Sequence, residues 1–380
     1  MRTPVALTAT LLASLCLTLA CSSTGVTPPA AVPQDSGTDS DPAPPFAAVA
    51  VDTTTGQRFA VSGESNRLTA ADRALAQCRA TVTKSCELIR QGKQKLRTAA
   101  ELRAGLAKSS VPLYLWRLRG TNATVYLGGT IHLLKPALYP LAPPFERAFD
   151  AADTLVVEVD ISDLDPTVVQ QQTLRRALLP PPTQLSSLLN AEQRARLAAR
   201  AAEYGIPAAN LEPLTPMFAS QLLSVSALKA LGYPEDGGVE RYFLDRAGDR
   251  RVLQLETLEQ QLDLLFSLPL DVQRDMLVDS LSQFDSLATW LESMVLAWLS
   301  GDVEQLATLF DEQTGDSKAA QAFSRALLDE RNAAMSEKIA GYLGSEGTYL
   351  VLVGAAHFGG DQGLLARLKR LGFSAEQVSR

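Results

Sequence analysis

Histidine is almost missing from this chain: 380 residues carry two, His132 and His357. Basic residues are in deficit as well, 35 Lys and Arg against 42 Asp and Glu, for a net charge of −7. The basic patch of a nucleic-acid binder is therefore not expected, and no nucleic-acid partner is assigned. Four cysteines are present. One of them lies in the leader described next and one directly after it, and the remaining pair is too small a set for a structural zinc site. The apolar run Val5 to Ala20 is short for a spanning helix and reads as an export signal, with Arg2 as its positive start. A hydrophobic fraction of 46% is ordinary and permits a sizeable core. The length fits one large domain or two unequal ones.

Residues 1–20 are thus read as a signal peptide. It closes on Thr18-Leu19-Ala20-Cys21, which resembles a bacterial lipobox. Under that reading Cys21 is the lipidation site and the membrane partner is reached through a lipid anchor. Ser22 and Ser23 follow the cysteine without an Asp, which suggests the outer membrane, facing the periplasm. Residues 21–45 are rich in Ser, Thr, Pro and Asp, bury too little to fold, and read as a tether. Cys16 leaves with the signal. Cys78 and Cys86 remain, and in an exported protein a disulfide between them is the default.

Past the tether, Ala47–Asp52 and Gln57–Ser62 read as short strands joined at Thr55-Gly56. Thr69–Ala80 reads as a helix with Ala74, Leu75 and Cys78 on one face, and Cys86–Ile89 as a returning strand. Residues 46–91 therefore form a small α+β module, and 92–110 a basic, helical connector. Residues 111–380 form the main domain. Pro112–Arg119 and Val125–Gly128 predict a hairpin, and Thr154–Val159 a buried parallel strand. Helical spacing runs through Ala191–Tyr204, Pro216–Leu231, Val239–Ala247, Leu258–Leu265, Asp271–Phe284 and Leu287–Leu299, with Arg251–Leu255 as a strand between them. Ser317–Leu343 reads as a long helix or a pair, Thr348–Val353 as the last clear strand and Leu364–Leu371 as the last helix. Strands, then helices, then strands again indicate an α/β fold, a mixed sheet with a large helical insertion.

Against this background one pattern stands out. Gly129-Thr130-Ile131-His132 follows the apolar run Val125–Leu127, and Gly354-Ala355-Ala356-His357 follows Tyr349–Val353. A strand ending in Gly and then His delivers an imidazole to a sheet edge, where sites form in α/β sheets. Two such strands would bring both imidazoles to one place.

The segments YLGGTIHLL, TLVVEVD, GVERYFLDRA, VLQLETLEQQL, LLDERNAAMSEKI and LVLVGAAHFGGDQGL follow one another in an order that resembles the TraB/PrgY/GumN superfamily, which includes the TIKI proteases. The resemblance runs from about Pro112 to the C-terminus. It implies a mixed α/β core like erythromycin esterase and ChaN. It also implies His132, His357, Glu158, Glu256, Arg331 and Asn332 as site residues. One departure concerns Gly238-Val239-Glu240-Arg241-Tyr242, where members usually carry Asp; Glu240 keeps the charge but reaches further, and its role stays open. Ala356 replaces a commoner Gly. Residues 46–91 in turn resemble a small exported domain of unknown function.

The resemblance to TIKI members implies metal-dependent peptidase chemistry on an extracytoplasmic, peptide-like substrate. His132, His357 and Glu158 would be the metal ligands, for a divalent ion of the Mn, Co or Zn class. Such an ion lowers the pKa of water to about 7 and polarises a scissile carbonyl. Glu256 would act as general base or fourth ligand, Arg331 would stabilise an oxyanion, and Asn332 would orient a ligand. The bland alternatives are a helix cap at Glu256-Thr257 and a solvated helix face for Arg331 and Asn332. Two rival functions stay open: a metal-free esterase-like hydrolase with His132 as base, and a non-catalytic haem- or peptide-binding lipoprotein.

Overall fold

A computed structural model describes residues 46–81, 85–104, 106, 111–160, 164–314 and 324–380. The stretches read as signal peptide and tether, Cys21 between them, and the start of the Ser317–Leu343 segment lie outside the described residues.

The main sheet has six strands: β5 (Pro112–Arg119), β6 (Asn122–Thr130), β7 (Thr154–Val157), β8 (Arg251–Gln254), β9 (Glu346–Gly354) and β10 (Ala375–Ser379). Their spatial order is β10-β5-β6-β9-β7-β8. β5 pairs antiparallel with β6 and β10, as the hairpin pattern requires. β6, β9, β7 and β8 run parallel, with Thr130 beside Gly354 and Val157 beside Gln254. Their sequences explain the arrangement. β7 is buried at all four positions and Leu350–Val353 of β9 are fully buried, the unbroken apolar run of a strand covered on both faces.

A smaller antiparallel sheet, in order β2-β1-β3-β4, is built from β1 (Ala48–Asp52), β2 (Arg58–Val61), β3 (Cys86–Gln91) and β4 (Gln94–Lys95). Helix α1 (Arg67–Thr81) covers it, and a disulfide joins Cys78 of α1 to Cys86 of β3. The stretch read as a connector instead continues this sheet. Gly92 turns at φ +57° into β4. Thr98 and Glu101 then cap α2 (Ala99–Ala104) reciprocally: Glu101 N–H donates to Thr98 Oγ1 at 3.2 Å and Thr98 N–H to Glu101 Oε2 at 2.7 Å. That Thr-x-x-Glu box is the start signal of the helical part expected in this stretch.

The helices of the main domain are α3 (Pro143–Ala151), α4 (Pro166–Ala177), α5 (Ala191–Glu203), α6 (Pro216–Ala230), α7 (Val239–Leu244), α8 (Leu258–Phe266), α9 (Leu270–Ser280), α10 (Leu287–Leu299), α11 (Val303–Thr314), α12 (Arg331–Leu343) and α13 (Leu364–Arg370). A π-helical turn, Arg325–Glu330, leads into α12. Three elements escaped the sequence pattern. α4 and α11 are announced by side-chain caps rather than by periodicity: Asp165 Oδ1 accepts from Thr167 N–H at 2.8 Å, and Asp302 Oδ1 from Gln305 N–H at 2.9 Å. β10 is an edge strand with little apolar alternation, held to β5 partly by Arg117–Glu376 at 2.6 Å.

The small sheet is not a separate body energetically. Phe59, Ala70, Ala71, Ala74 and Leu88 belong to the same continuous core as Leu127, Phe145 and Val351. α1 packs on α6, Arg67 pairs with Glu203 at 2.9 Å, and Gln91 Nε2 donates to Ala230 O at 3.1 Å.

Candidate functional site

Four parallel strands end at one edge, and each delivers a polar side chain there. β6 is followed by His132, β9 by His357, β7 by Glu158 and β8 by Glu256. The two motif glycines fit close approaches. A Cβ on Gly129 would lie 2.1 Å from Cδ1 of Tyr114, and the Tyr114 hydroxyl donates to Ala355 O at 3.1 Å. One β5 side chain therefore braces both Gly-x-x-His segments. A Cβ on Gly354 would lie 3.0 Å from Glu158 Oε1, 3.6 Å from His357 Cδ2 and 3.7 Å from His132 Nε2. Both imidazoles and the Glu158 carboxylate thus converge on one point.

Arg331, the first residue of α12, sits at the centre. Nη2 donates to Glu158 Oε2 at 2.5 Å and to Glu256 Oε2 at 2.7 Å. Nε reaches Glu256 at 2.9 Å, and Nη1 donates to Leu327 O at 3.0 Å and faces His357 Nε2 at 3.1 Å. All five N–H groups of the guanidinium are then engaged, and none is left for an incoming oxyanion. A solvated face does not describe this helix turn: the Arg331 side chain is 12% exposed and Asn332 2%. Burial would pull the guanidinium pKa down, yet the Glu158 and Glu256 carboxylates raise it above its ordinary value. Burial likewise works against ionised Glu158, but Arg331 prevails and holds it at about 2. Glu158 Oε1 also accepts from Gly354 N–H at 2.6 Å, and Gln261 Nε2 bridges to Glu158 at 3.1 Å and Glu256 at 3.3 Å. Thr257, not Glu256, caps α8, in a box with Gln260. The Glu256 carboxylate is turned to Arg331 instead.

His357 is fully buried. Asn332 Nδ2 donates to Gln362 O at 3.0 Å, which leaves Asn332 Oδ1 as the acceptor facing His357 Nδ1 at 2.7 Å. Nδ1 therefore carries the proton and Nε2 accepts from Arg331. Burial first, then the Arg331 charge, depress the His357 pKa to about 3. His357 is a neutral ring that orients Arg331.

His132 differs. Its Nδ1 lies 3.5 Å from Glu240 Oε2, inside ion-pair range, yet neither atom has a hydrogen-bond partner. The other Glu240 oxygen accepts from the Thr130 hydroxyl. Glu240 is 1% exposed and comes from α7, whose approach is fixed by backbone bonds between the two loops: Leu134 N–H to Gly237 O at 2.9 Å and Val239 N–H to Ile131 O at 3.1 Å. Burial opposes a charged His132, but Glu240 raises its pKa above the usual value.

One ligand atom each from His132, Glu158 and Glu240 lie within 4.8 Å of one another, a group that could hold a metal ion. The sequence reading had His357 as the third ligand. The structure puts Glu240 there, because both nitrogens of His357 are committed to Asn332 and Arg331. The donor set fits a divalent cation: imidazole plus carboxylates, with three carboxylates in the cluster against one guanidinium. Glu240, Thr130, Tyr114 and Gln261 were not assigned roles from sequence; only the charge of Glu240 and the position of Thr130 inside the first motif could have signalled them.

The TraB/PrgY/gumN family model matches residues 114–377. The chain belongs to this family. The matched stretch holds all six family-implied site residues and begins beyond the small sheet. Among curated TraB/PrgY/gumN relatives, the uncharacterized protein YbaP of Escherichia coli K12 is 27% identical over 256 residues, covering 65% of this chain and 89% of YbaP. YbaP of Shigella flexneri is 27% identical over the same length. No solved structure matches the chain.

Proposed function

We propose that this TraB/PrgY/gumN chain is a hydrolase of the cell envelope, anchored by lipid at Cys21 and acting on a peptide-like substrate, with a divalent cation of the Mn, Co or Zn class at His132, Glu158 and Glu240. The observation that carries this reading is the pair His132 Nδ1 and Glu240 Oε2, buried, 3.5 Å apart and without a hydrogen bond among the described residues. Buried polar atoms of this kind cost about 1–3 kcal/mol each when unsatisfied, so a site that tolerates two of them together is built to receive a cation or a proton. A bound divalent cation would supply Lewis acidity toward a scissile carbonyl. The chain's own residues do the rest. Arg331 holds Glu158 ionised and fixes both Glu158 and Glu256 in place, Asn332 sets the His357 tautomer, and Thr130 orients Glu240.

The same pair favours a second reading, in which no metal takes part and His132 is a general base oriented by Glu240, its proton affinity raised by that carboxylate. Elemental analysis of the purified protein, alongside His132→Ala and Glu240→Gln, separates the two. Under the metal reading the wild type carries about one equivalent of a transition metal, both variants lose it, and chelators stop peptide hydrolysis. A metal-free wild type whose hydrolysis ignores chelators would overturn that reading and leave the dyad. No hydrolysis of a broad peptide library under either condition would overturn both.

A further inference from the structure

An apolar cavity of about 280 Å³ lies elsewhere in the molecule, walled by buried Leu138, Leu141, Phe145 and Trp298 and carrying two arginines, Arg103 and Arg380. Neither guanidinium forms an ion pair with a carboxylate among the described residues. Arg103 Nη2 donates to Leu138 O at 2.7 Å and to Pro140 O at 3.3 Å, which fixes the plane of its fork. The rest of that fork has no acceptor among the described residues. Burial, then the Arg380 charge, lower the Arg103 pKa, while the Glu87 carboxylate acts the other way. Two guanidinium groups therefore border one apolar wall, an arrangement that matches an anion carrying hydrocarbon.

A carboxylate matches a guanidinium fork geometrically and neutralises the pair. The walls, for their part, require hydrocarbon. The volume falls just below the usual range of ligand pockets, roughly 300–1,000 Å³, which suits one medium-length chain and excludes a diacyl lipid. The geometry points to a second binding site here, for a single-chain amphiphile with a carboxylate head, its head on Arg103 and Arg380 and its chain against Leu141, Phe145 and Trp298. The site is distinct from the histidine centre, and its occupancy does not depend on hydrolysis. It also touches the strand that carries His132. Trp298 Nε1 donates to Gly129 O at 2.7 Å, and the Phe145 ring lies 5.9 Å from that of Trp298.

The test is calorimetric titration of the purified full chain with decanoate, decanol and decylammonium, each below its micellar concentration. Decanoate is expected to bind with one-to-one stoichiometry. Decanol should bind about tenfold more weakly or worse, by the strength of charge-assisted hydrogen bonds, and decylammonium not at all. Arg380→Ala, at an exposed position, should weaken decanoate alone by about tenfold. Leu141→Trp, which fills the cavity, should abolish binding; its circular dichroism must match the wild type, and Leu141→Phe serves in its place if it does not. The proposal fails if decanoate does not bind, if decanol binds equally well, if Arg380→Ala leaves decanoate affinity unchanged, or if a folded cavity-filling variant still binds. It also fails if a hydrophobic tripeptide acid binds and decanoate does not.

Discussion

His132 and His357 end identical Gly-x-x-His patterns on neighbouring parallel strands, yet the fold gives them opposite physical states. His357 has both nitrogens engaged, no exposure and a pKa depressed to about 3. His132 keeps an unpartnered Nδ1 against an unpartnered carboxylate oxygen, and its pKa is raised. The strand end places both rings, but the element arriving from elsewhere decides what each ring does. For His357 that element is α12, bringing Arg331 and Asn332. For His132 it is α7, bringing Glu240.

If this division is right, the two rings fail differently when removed. His132→Ala should lower peptide hydrolysis by about 10²–10⁴-fold while urea unfolding at alkaline pH, where the ring's raised-pKa contribution is absent, shifts little. Equal turnover in His132→Ala and wild type would erase the distinction. Arg331→Met attacks the other half: it leaves Glu158 and Glu256 buried without a cation and should cost about 3–5 kcal/mol of stability, read from denaturant midpoints. A loss below about 1 kcal/mol would mean the cluster is wetter than its burial implies.

Acid sharpens the comparison. The folded state disfavours protonated His357, so its contribution is present above the ordinary imidazole pKa of about 6.5 and is lost as pH falls toward about 3. Glu158 adds a second loss, from the ordinary carboxylate pKa near 4.3 down to about 2. His132 runs the other way: its raised pKa gives stability below about 6.5 that fades as pH climbs through the folded value. Unfolding free energy should therefore fall on acidification from pH about 6.5, by an amount on the order of a few kcal/mol. His357→Asn should flatten the upper part of that slope, and the same slope in both proteins would remove His357 as its cause. The smallest effect is expected from Cys78→Ala with Cys86→Ala. Opening so short a loop should cost about 2–3 kcal/mol while the His132-to-His357 contrast in turnover and acid response stays intact.

The parts of this centre legible in the sequence are those fixed by strand ends. β5, β6, β7, β8 and β9 announced themselves by apolar runs and a hairpin turn, so His132, His357 and Glu158 could be sent to one edge before any coordinates. The family resemblance added Arg331 and Asn332, which composition alone would have left in solvent within a charged helix. Glu240 was harder, because its contact with His132 depends on two loops docking through backbone bonds at Ile131, Leu134, Gly237 and Val239, and no side-chain pattern encodes that. Elements with weak apolar signals, α4, α11 and β10, were lost for the same reason: their starts are set by a cap or an edge pairing, not by a buried stripe.

The shared core of the two sheets has a practical outcome. Trimming a recombinant version to the family-matched stretch, residues 114–377, would uncover the wall on α6 and around Gly232 that Ala70, Ala71 and Leu88 now shield. It would also strand the Lys135 ammonium, a buried cation three residues past His132, whose acceptor is Arg97 O. Such a fragment should precipitate or lose its shape near the first histidine, so expression work belongs on a version that starts no later than Phe46.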